Sequence, residues 1–556
     1  MAWLAALRSV GGMSDAMTSR SATQADCQVL IVGAGPTGLM LAAQLLARGV
    51  ATRIIDKGDG VILQSRAINV HACTLEILDQ MGLAERFIDR GQAVRRLRFY
   101  SSGRSLLSLD LALNGSRYGY MLDIPQDCTE RLLRARVSEL GGEVEQGVEL
   151  EGLDDKPGCV SARVRDRAGQ ASQITAEYVV GCDGAHSRVR HELGLDFAGH
   201  PYPQDWLIAD VRLDWDRRED EIHAFFRPDP APLICFPMTG HRWRLVVPFA
   251  GQRDRKPPTL AEIQELVDER APEQVPVSDP TWLANFHTHR RSTSVYRRGR
   301  VLLAGDAVHI HSPAGGQGMN IGMTDAHNLG WKLALVAQGR SPQWLLDTYG
   351  EEREPVAAGV LGLTHALVRL GTLSHPAKRA VRDAVVPLLS RLPAVQRRAA
   401  RRYCQMHVAY PVSRLTQPDR YRGGVRPGDR APDIDVLVGD HRARLHDVLR
   451  SGRHVLVTPR ADLAGTAAAT SALGPQDTVD MVTSDFEAAP GSGGRDGLVF
   501  LVRPDGYVAA RGRPGDARAI VSYLRAIRGP GQQPVGVGPA RAAEPLHRAD
   551  GRVNRR

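Results

Sequence analysis

No stretch of the 556-residue chain approaches the roughly 18 to 20 uninterrupted apolar residues that a membrane-spanning helix needs. The best run, Leu39 to Ala47, is short and broken by Gln44, which excludes a transmembrane protein. Lysine is almost missing: five residues (Lys57, Lys156, Lys256, Lys332 and Lys378) stand among 71 basic ones, so the formal charge of +9 is arginine charge. The arginines are spread evenly, with no Lys/Arg block and no interleaved aromatics. That pattern reads as solvated surface and excludes a nucleic-acid footprint. Paired cysteines are missing too. The seven present (Cys27, Cys73, Cys128, Cys159, Cys182, Cys235 and Cys404) are odd in number and contain no C-x-x-C spacing. A disulfide framework and a zinc site are excluded, and reduced thiols in a cytoplasmic protein are expected. Aromatic residues are sparse at 5%, while 43% hydrophobic and 24% charged residues are ordinary globular values. Length alone allows three to four domains at about 150 residues each.

The chain starts weakly. Met1 to Asp26 has no basic segment before Leu4 to Leu7, as a secretory signal would. It reads as a disordered leader, 1–26, with Met13 and Met17 as later starts. Gly529 to Arg556, rich in Gly, Pro, Arg and Ala, reads as a flexible tail.

The first ordered pattern is Gln28 to Val32, a β-branched run, followed by Gly33-Ala-Gly35-Pro-Thr-Gly38 and an apolar helix pattern, Leu39 to Arg48. A second strand, Thr52 to Ile55, ends in Asp56. Strand, glycine turn, helix and terminal acid form a dinucleotide fingerprint. Gly33 turns the chain, Gly35 lets backbone approach a pyrophosphate, Gly38 allows close helix packing, and Asp56 accepts from a ribose hydroxyl. A glycine-rich turn with nothing bound is the plain alternative. Two later motifs accompany it. Val179-Val-Gly-Cys-Asp183-Gly-Ala-His-Ser-Arg188 sets an Asp-Gly turn after an apolar strand. Val301-Leu-Leu-Ala-Gly305-Asp306 delivers a carboxylate at a buried strand end, and Pro313-Ala-Gly315-Gly316-Gln-Gly318-Met319-Asn320 then opens a long helix.

These three motifs, in this order, resemble those of the FAD-dependent aromatic hydroxylases, the single-component flavoprotein monooxygenases of the p-hydroxybenzoate and phenol hydroxylase type, over roughly Gln28 to Arg353. The resemblance implies that Asp56 binds the adenosine ribose and Asp306, after Gly305, the ribitol chain. Arg66 and Gln126 occupy positions that help hold FAD. Asp183 and Arg188 match an Asp-Gly motif tied to FAD and pyridine-nucleotide use, and Pro313 to Asn320 matches the loop beside the isoalloxazine, with Met319 and Asn320 at its pyrimidine edge. Read from the residues alone, Gly315, Gly316 and Gly318 leave amides unshielded at a helix start, whose partial positive charge suits an anionic ring edge.

The fold class expected is α/β: a Rossmann-like FAD-binding domain interleaved with a β-sheet substrate domain, a helical cap and a C-terminal thioredoxin-like domain. The spans are 27–195 and 297–406 for the FAD-binding parts and cap, 196–296 for the substrate sheet, 407–430 for a linker and 431–528 for the last module. In the cap, Pro355, Pro376, Pro387 and Pro393 read as punctuation. Strand alternation makes Phe225, Phe226, Phe236, Pro237, Met238 and Trp243 pocket candidates, with ordinary core as the alternative for each. His309 and His311 read as structural or flavin-neighbouring residues, since no third metal ligand accompanies them. His71 reads as a helix-start histidine. No general base is evident, and Ala67, Ile68, Asn69 and Val70 stand where the phenol hydroxylase pattern places an acid. In the last module, the turn Arg503-Pro504-Asp505-Gly506 links two strands, and no cysteine follows Cys404, so thiol redox chemistry is excluded there.

The expected activity is NAD(P)H- and O2-dependent hydroxylation of an aromatic, phenolic or polyketide-type substrate through a flavin C4a-hydroperoxide, in a cytoplasmic protein that can form a homodimer. Baeyer–Villiger or epoxidising oxygenation on the same scaffold, or ligand binding without turnover, are the alternatives.

Overall fold

The computed structural model describes residues 25–61, 67–101, 103–226, 232–250, 257–310, 315–371, 373, 375–460, 479–484, 497–513, 516–528 and 538–539. Arg66, His311, Pro313 and most of the expected leader and tail lie outside the described residues.

The first sheet runs in the order Arg297–Arg298, Val301–Leu303, Ala171–Gly181, Cys27–Val32, Thr52–Asp56, Val144–Gln146. All neighbours from Val301–Leu303 to Val144–Gln146 are parallel. Parallel strands are covered on both faces, so they need near-continuous apolar runs, and Val29 to Val32 are all buried. Register decides where the strands end. Val32 pairs with Ile55 on one side and Gly181 on the other, and Gly181 pairs with Leu303. Four carboxyl ends therefore finish at one level. The residues that leave them are Gly33, Asp56, Cys182 and Ala304.

Helix Pro36–Leu46 starts directly after the glycine turn, with proline at its first position, where no intrahelical donor is lost. Gly38 admits nothing larger: a Cβ there would lie 2.0 Å from the Gly33 carbonyl oxygen. The helix packs against the long helix Gly318–Ala337, whose faces are almost entirely buried. An apolar helix buried all round is what a central position between layers demands.

The second sheet runs His309–Ile310, Val277–Ser292, Ala198–Leu213, Arg242–Ala250, Leu233–Met238, Glu221–Phe226, Arg96–Ser101, Arg104–Asp110. Its last two strands come from within the 27–195 segment, a crossing that alternation alone does not show. Its two faces have different partners. Phe225, Cys235, Trp243, Leu245 and Val247 pack on helix Leu260–Arg270, while Trp206, Ile208, Phe236, Met238 and Val246 face Ile68, Cys73, Met121 and Tyr403. Because side chains alternate along a strand, the six pocket candidates divide. Phe225 and Trp243 belong to the core on the far side, and Pro237 pairs opposite Trp243. Phe236 and Met238 face the first domain, and Phe226 stacks on Phe99 at 5.8 Å.

Helices Asp347–Gly371, Pro376–Leu389 and Pro393–Tyr403 follow. Pro376 and Pro393 open helices as punctuation does. Pro355 and Pro387 instead lie inside helices, Pro355 at an exposed position. The last module has the parallel pair His454–Pro459 and Val479–Ser484, flanked by antiparallel strands Val499–Val502 and Val508–Gly512, with helix Arg518–Ala526 beside the latter. Gly538–Pro539, within the expected tail, pairs with Val479–Ser484. No helix among the described residues is long and apolar enough to cross a membrane.

Candidate active site

At the shared carboxyl edge the three glycine motifs meet. Gly33 has φ +103°, and a Cβ there would come within 2.5 Å of the Cys182 carbonyl oxygen, so the first turn is pressed against the start of Cys182-Asp183. A Cβ on Gly305 would lie 2.6 Å from Thr37 Oγ1, which brings the third motif onto the first helix turn. Gly35, by contrast, has open space where a Cβ would stand, extended backbone, and a position immediately before helix Pro36–Leu46. An open concavity at a helix N-terminus favours a phosphate.

Asp56 is tied into this edge. Its Oδ2 accepts from Ala34 N at 2.6 Å and its Oδ1 from Gly58 N at 2.7 Å, which leaves further lone pairs on both oxygens. Asp183 Oδ2 accepts from the amides of Arg188 and Val189 (2.6 and 3.1 Å), while Oδ1 is buried with no hydrogen-bond partner among the described residues. Burial raises its pKa above the ordinary carboxylate value. The Arg188 side chain is turned to Glu192 (2.7 Å) and the Glu151 carbonyl (2.6 Å). Gln126 begins helix Gln126–Glu139, accepts from Ala67 N and donates to Glu130, which places it beside the chain that follows Arg66. Asp306 sits exposed in the turn Gly305–Ala307.

The loop before helix Gly318–Ala337 is held from inside. Asn320 Nδ2 donates to the carbonyls of Asn69 and Gly316, and its Oδ1 accepts from His71 N and Thr74 Oγ1, all at 2.8–2.9 Å. With its side-chain amide used in these four bonds, Asn320 has its main chain left to offer a ligand. Met319 is half-buried against the first-domain core. Gly316, at φ +62°, has Asn69 Oδ1 2.0 Å from where a Cβ would stand. Gln317 donates to Gly315 O and Tyr403 O and accepts from Gln405, which links the loop to the cap.

Beside this loop lies a buried polar group that the sequence reading missed. Asn69 donates to Asp123 Oδ1 at 2.5 Å, and Asp123 Oδ2 has no partner among the described residues. Burial pushes the Asp123 carboxyl up to about 8, against the pull of Asn69 and Arg244. Arg244, itself buried on the second sheet, makes a bidentate pair with Asp210 (2.7 Å twice) and reaches Ala67 O at 3.4 Å. His71 caps helix Ala72–Gln80, stands 3.3 Å from Gly315 O and meets Tyr403 edge-on at 5.2 Å. Burial pushes its imidazole down to about 4, so it is neutral at pH 7. Asp123 comes from a strand far from Asn69 in sequence, and no spacing rule joins them; the one available signal was an acid inside the apolar run Met121 to Ile124.

His309 is 2.8 Å from Asp325 Oδ2, which also accepts from Gly305 N at 3.2 Å. Its role is thus structural, on the glycine turn. Among the described residues no group of three or more His, Cys, Asp or Glu is placed to hold a metal ion. A cavity of about 440 Å³ lies away from this site, between the cap and the last module, lined by Met406, Val425, Arg430, Leu445 and Val508.

A parallel sheet with a glycine turn at its carboxyl edge, an acid ending the second strand and a second glycine turn folded onto the first defines a dinucleotide-binding protein. Comparison with known proteins specifies which. Residues 26–364 match the FAD binding domain family and residues 425–530 match the aromatic-ring hydroxylase C-terminal family. A 12-dehydrotetracycline 5-monooxygenase/anhydrotetracycline 6-monooxygenase of Streptomyces rimosus is 37% identical over 501 residues, covering 87% of this chain and 95% of that protein. A rifampicin monooxygenase of Streptomyces venezuelae is 35% identical, with 87% and 95% covered. The solved anhydrotetracycline hydroxylase OxyS from Streptomyces rimosus superposes with a TM-score of 0.75 at 35% identity, over 91% of this chain and 99% of that one. The chain belongs to the FAD-dependent aromatic-ring hydroxylases and is a flavoprotein monooxygenase.

Proposed function

We propose that the carboxyl edge of the first sheet holds FAD through Gly33, Gly35, Gly38 and Asp56 on its adenosine diphosphate half, with Arg66, Gln126, Asp183 and Arg188 in support. Gly305, Asp306 and Pro313 to Asn320, including Gly315, Gly316, Gly318 and Met319, hold its ribityl and ring half, and the substrate is a fused-ring phenolic compound. The observation that carries this reading is the convergence of the three motifs on the start of helix Pro36–Leu46. The cradle fits the group: Gly35 leaves space at a helix N-terminus, and among the described residues Asp56 keeps lone pairs unused and Asp183 Oδ1 is buried without a partner.

Bound there, FAD supplies electron transfer from NAD(P)H to dioxygen, so that one oxygen atom enters the ring and the other leaves as water. The chain's own work is positioning and exclusion. Asn320 presets the loop by its four hydrogen bonds, so binding requires little reordering of it. The N-terminus of helix Gly318–Ala337 would offer its partial positive charge to a reduced flavin ring held by the loop before it. Phe236 and Met238 supply an apolar wall that keeps water away. Asp123, with its unpaired oxygen and raised pKa, holds or accepts a proton near neutral pH, in the range suited to a phenolic hydroxyl. Relatives acting on tetracycline precursors and rifampicin support a polycyclic substrate.

We assign 27–195 and 297–406 to the flavin domain and cap, 196–296 with Arg96–Asp110 to the substrate sheet, 407–430 to a linker and 431–528 to a thioredoxin-like module. Seven free thiols suit a reducing cytoplasm, and a homodimer remains part of the reading.

The test is the visible spectrum of the purified protein, followed by NADPH and NADH oxidation with anhydrotetracycline, 1-naphthol and phenol. The expected result is a flavin spectrum, loss of FAD in Asp306→Ala, and oxidation stimulated most by the fused-ring compound, with one oxygen atom added to the product. No flavin after reconstitution ends the reading.

A further inference from the structure

The turn Arg503-Pro504-Asp505-Gly506 of the cysteine-free module reaches into the flavin domain as a buried charge. Arg503 is 1% exposed and bonds both oxygens of Glu352, at 2.5 and 2.8 Å, while its Nε donates to Asp505 at 2.9 Å. Glu352 also accepts from Lys332 Nζ and Asn328 Nδ2 on helix Gly318–Ala337, both at 2.7 Å, and from Ser413 at 2.7 Å. Asn328 reaches Asp505 at 3.2 Å.

The next residue points elsewhere. Neighbours on a helix are turned about 100° from each other, so while Glu352 faces the module, Arg353 faces the core. Its Nε donates to Asp325 Oδ1 at 2.7 Å, its Nη2 to Thr324 Oγ1 at 2.7 Å and its Nη1 to the Tyr410 hydroxyl at 3.0 Å. Asp325 Oδ2 receives Gly305 N and His309. Among the described residues the charges of this network are matched: Glu352 and Asp505 against Arg503 and Lys332, and Asp325 against Arg353. Nothing is left for a ligand to neutralise, so the network is not itself a binding site. Buried pairs of this kind add little net stability over apolar packing of the same volume, and their best-attested use is to select one arrangement.

We propose that Asp325 is the positioning residue of the Gly305–Asp306 turn, and that Arg503 of the C-terminal module keeps it aligned through Glu352 and Arg353. The module is then a clamp on the flavin grip. This rests on the reading that Gly305 and Asp306 hold FAD.

The experiment uses the full-length holoprotein and measures FAD affinity by quenching of flavin fluorescence, together with the visible spectrum of bound FAD and the melting temperature. Couplings of this kind are worth about three- to thirtyfold in affinity. Asp325→Asn is expected at the upper end, with a shifted spectrum. Arg503→Lys keeps the charge but loses the fork, and is expected at the lower end. Arg511→Lys is the control: Arg511 is buried in the same module and paired with Asp419, but makes no contact with Glu352, so it should lower the melting temperature while FAD affinity stays within about twofold. Wild-type affinity and spectrum in folded Arg503→Lys overturn the clamp, even if Asp325→Asn does not fold. Equal weakening in Arg511→Lys overturns it as well, because general loosening then explains the effect. Asp306→Ala that retains FAD brings down the assignment beneath the clamp, and is distinguishable because it does so without reference to Arg503.

Discussion

The two large sheets use their sequences in opposite ways. In the first sheet the proposed cofactor cradle is largely main-chain, the turns and space at Gly33, Gly35 and Gly38, set by a register that ends four strands together. In the second sheet, antiparallel except for the pair Glu221–Phe226 and Arg96–Ser101, what matters is the face each residue occupies, as the separation of Trp243 from Phe236 shows. Backbone function leaves a local trace, because only glycine tolerates it. Side-chain function at a distance leaves almost none.

The comparison is broken first at its strongest point. Gly38→Val places a side chain on the Gly33 carbonyl, a backbone atom that cannot swing away, and should yield protein with less than about a tenth of the wild-type FAD content by absorbance, with reduced folding yield.

On the other sheet, Arg244→Met strands the Asp210 carboxylate and should cost about 3–5 kcal/mol in urea unfolding. The double variant Arg244→Met/Asp210→Leu should regain most of that. Failure to regain it means that the pair serves the site as well as the core.

Asp123→Asn gives an effect of comparable size that depends on pH with a definite sign. The folded carboxyl is held up at about 8, far above its unfolded value of 3.8, so the folded state binds more protons in that window. Wild-type stability must therefore fall relative to the variant as pH rises from about 4 to 8, by at most about 1.4 kcal/mol per pH unit. Parallel stability curves would refute the burial of an uncharged Asp123.

The smallest effect is expected at Thr259, which caps helix Leu260–Arg270 on the sheet's far face by a reciprocal bond pair with Glu262. Thr259→Ala should cost about 1 kcal/mol and leave FAD affinity unchanged. A change in flavin spectrum would show that the far face is coupled to the site.

Much of the first domain was legible. The strand, turn, helix and acid of Gln28 to Asp56 carry their reason in local order, and the Gly305-Asp306 and Gly315–Gly318 turns do likewise. Arg66 and Pro313, which lie outside the described residues, add nothing to that comparison. What escaped was non-local. The bonds by which Asn320 ties the loop to Asn69, His71 and Thr74, 246 to 251 residues earlier, have no trace in the local pattern. Asp123 and Arg244 stand far apart in the chain and meet only when the second sheet closes on the first. Asp325 carried a faint mark, a lone acid within an apolar helix, which in hindsight asks for a buried partner. The strands Arg96–Asp110 were missed for a related reason: sheet membership depends on where a strand ends up.

The order of the first sheet has a consequence for synthesis. Strand Ala171–Gly181 is flanked by Cys27–Val32 and by Val301–Leu303, and five of the second sheet's eight strands are translated between Gly181 and Val301. At about 5–20 residues per second, that edge waits on the order of ten seconds for its neighbour. Throughout that interval Val179–Gly181, the end of the edge not already covered by Cys159–Arg165, presents open main-chain donors and acceptors, the condition under which strands pair with the wrong chain. Slower translation between codons 182 and 300 is therefore expected to lower the folding yield, while slower translation after 301 is not.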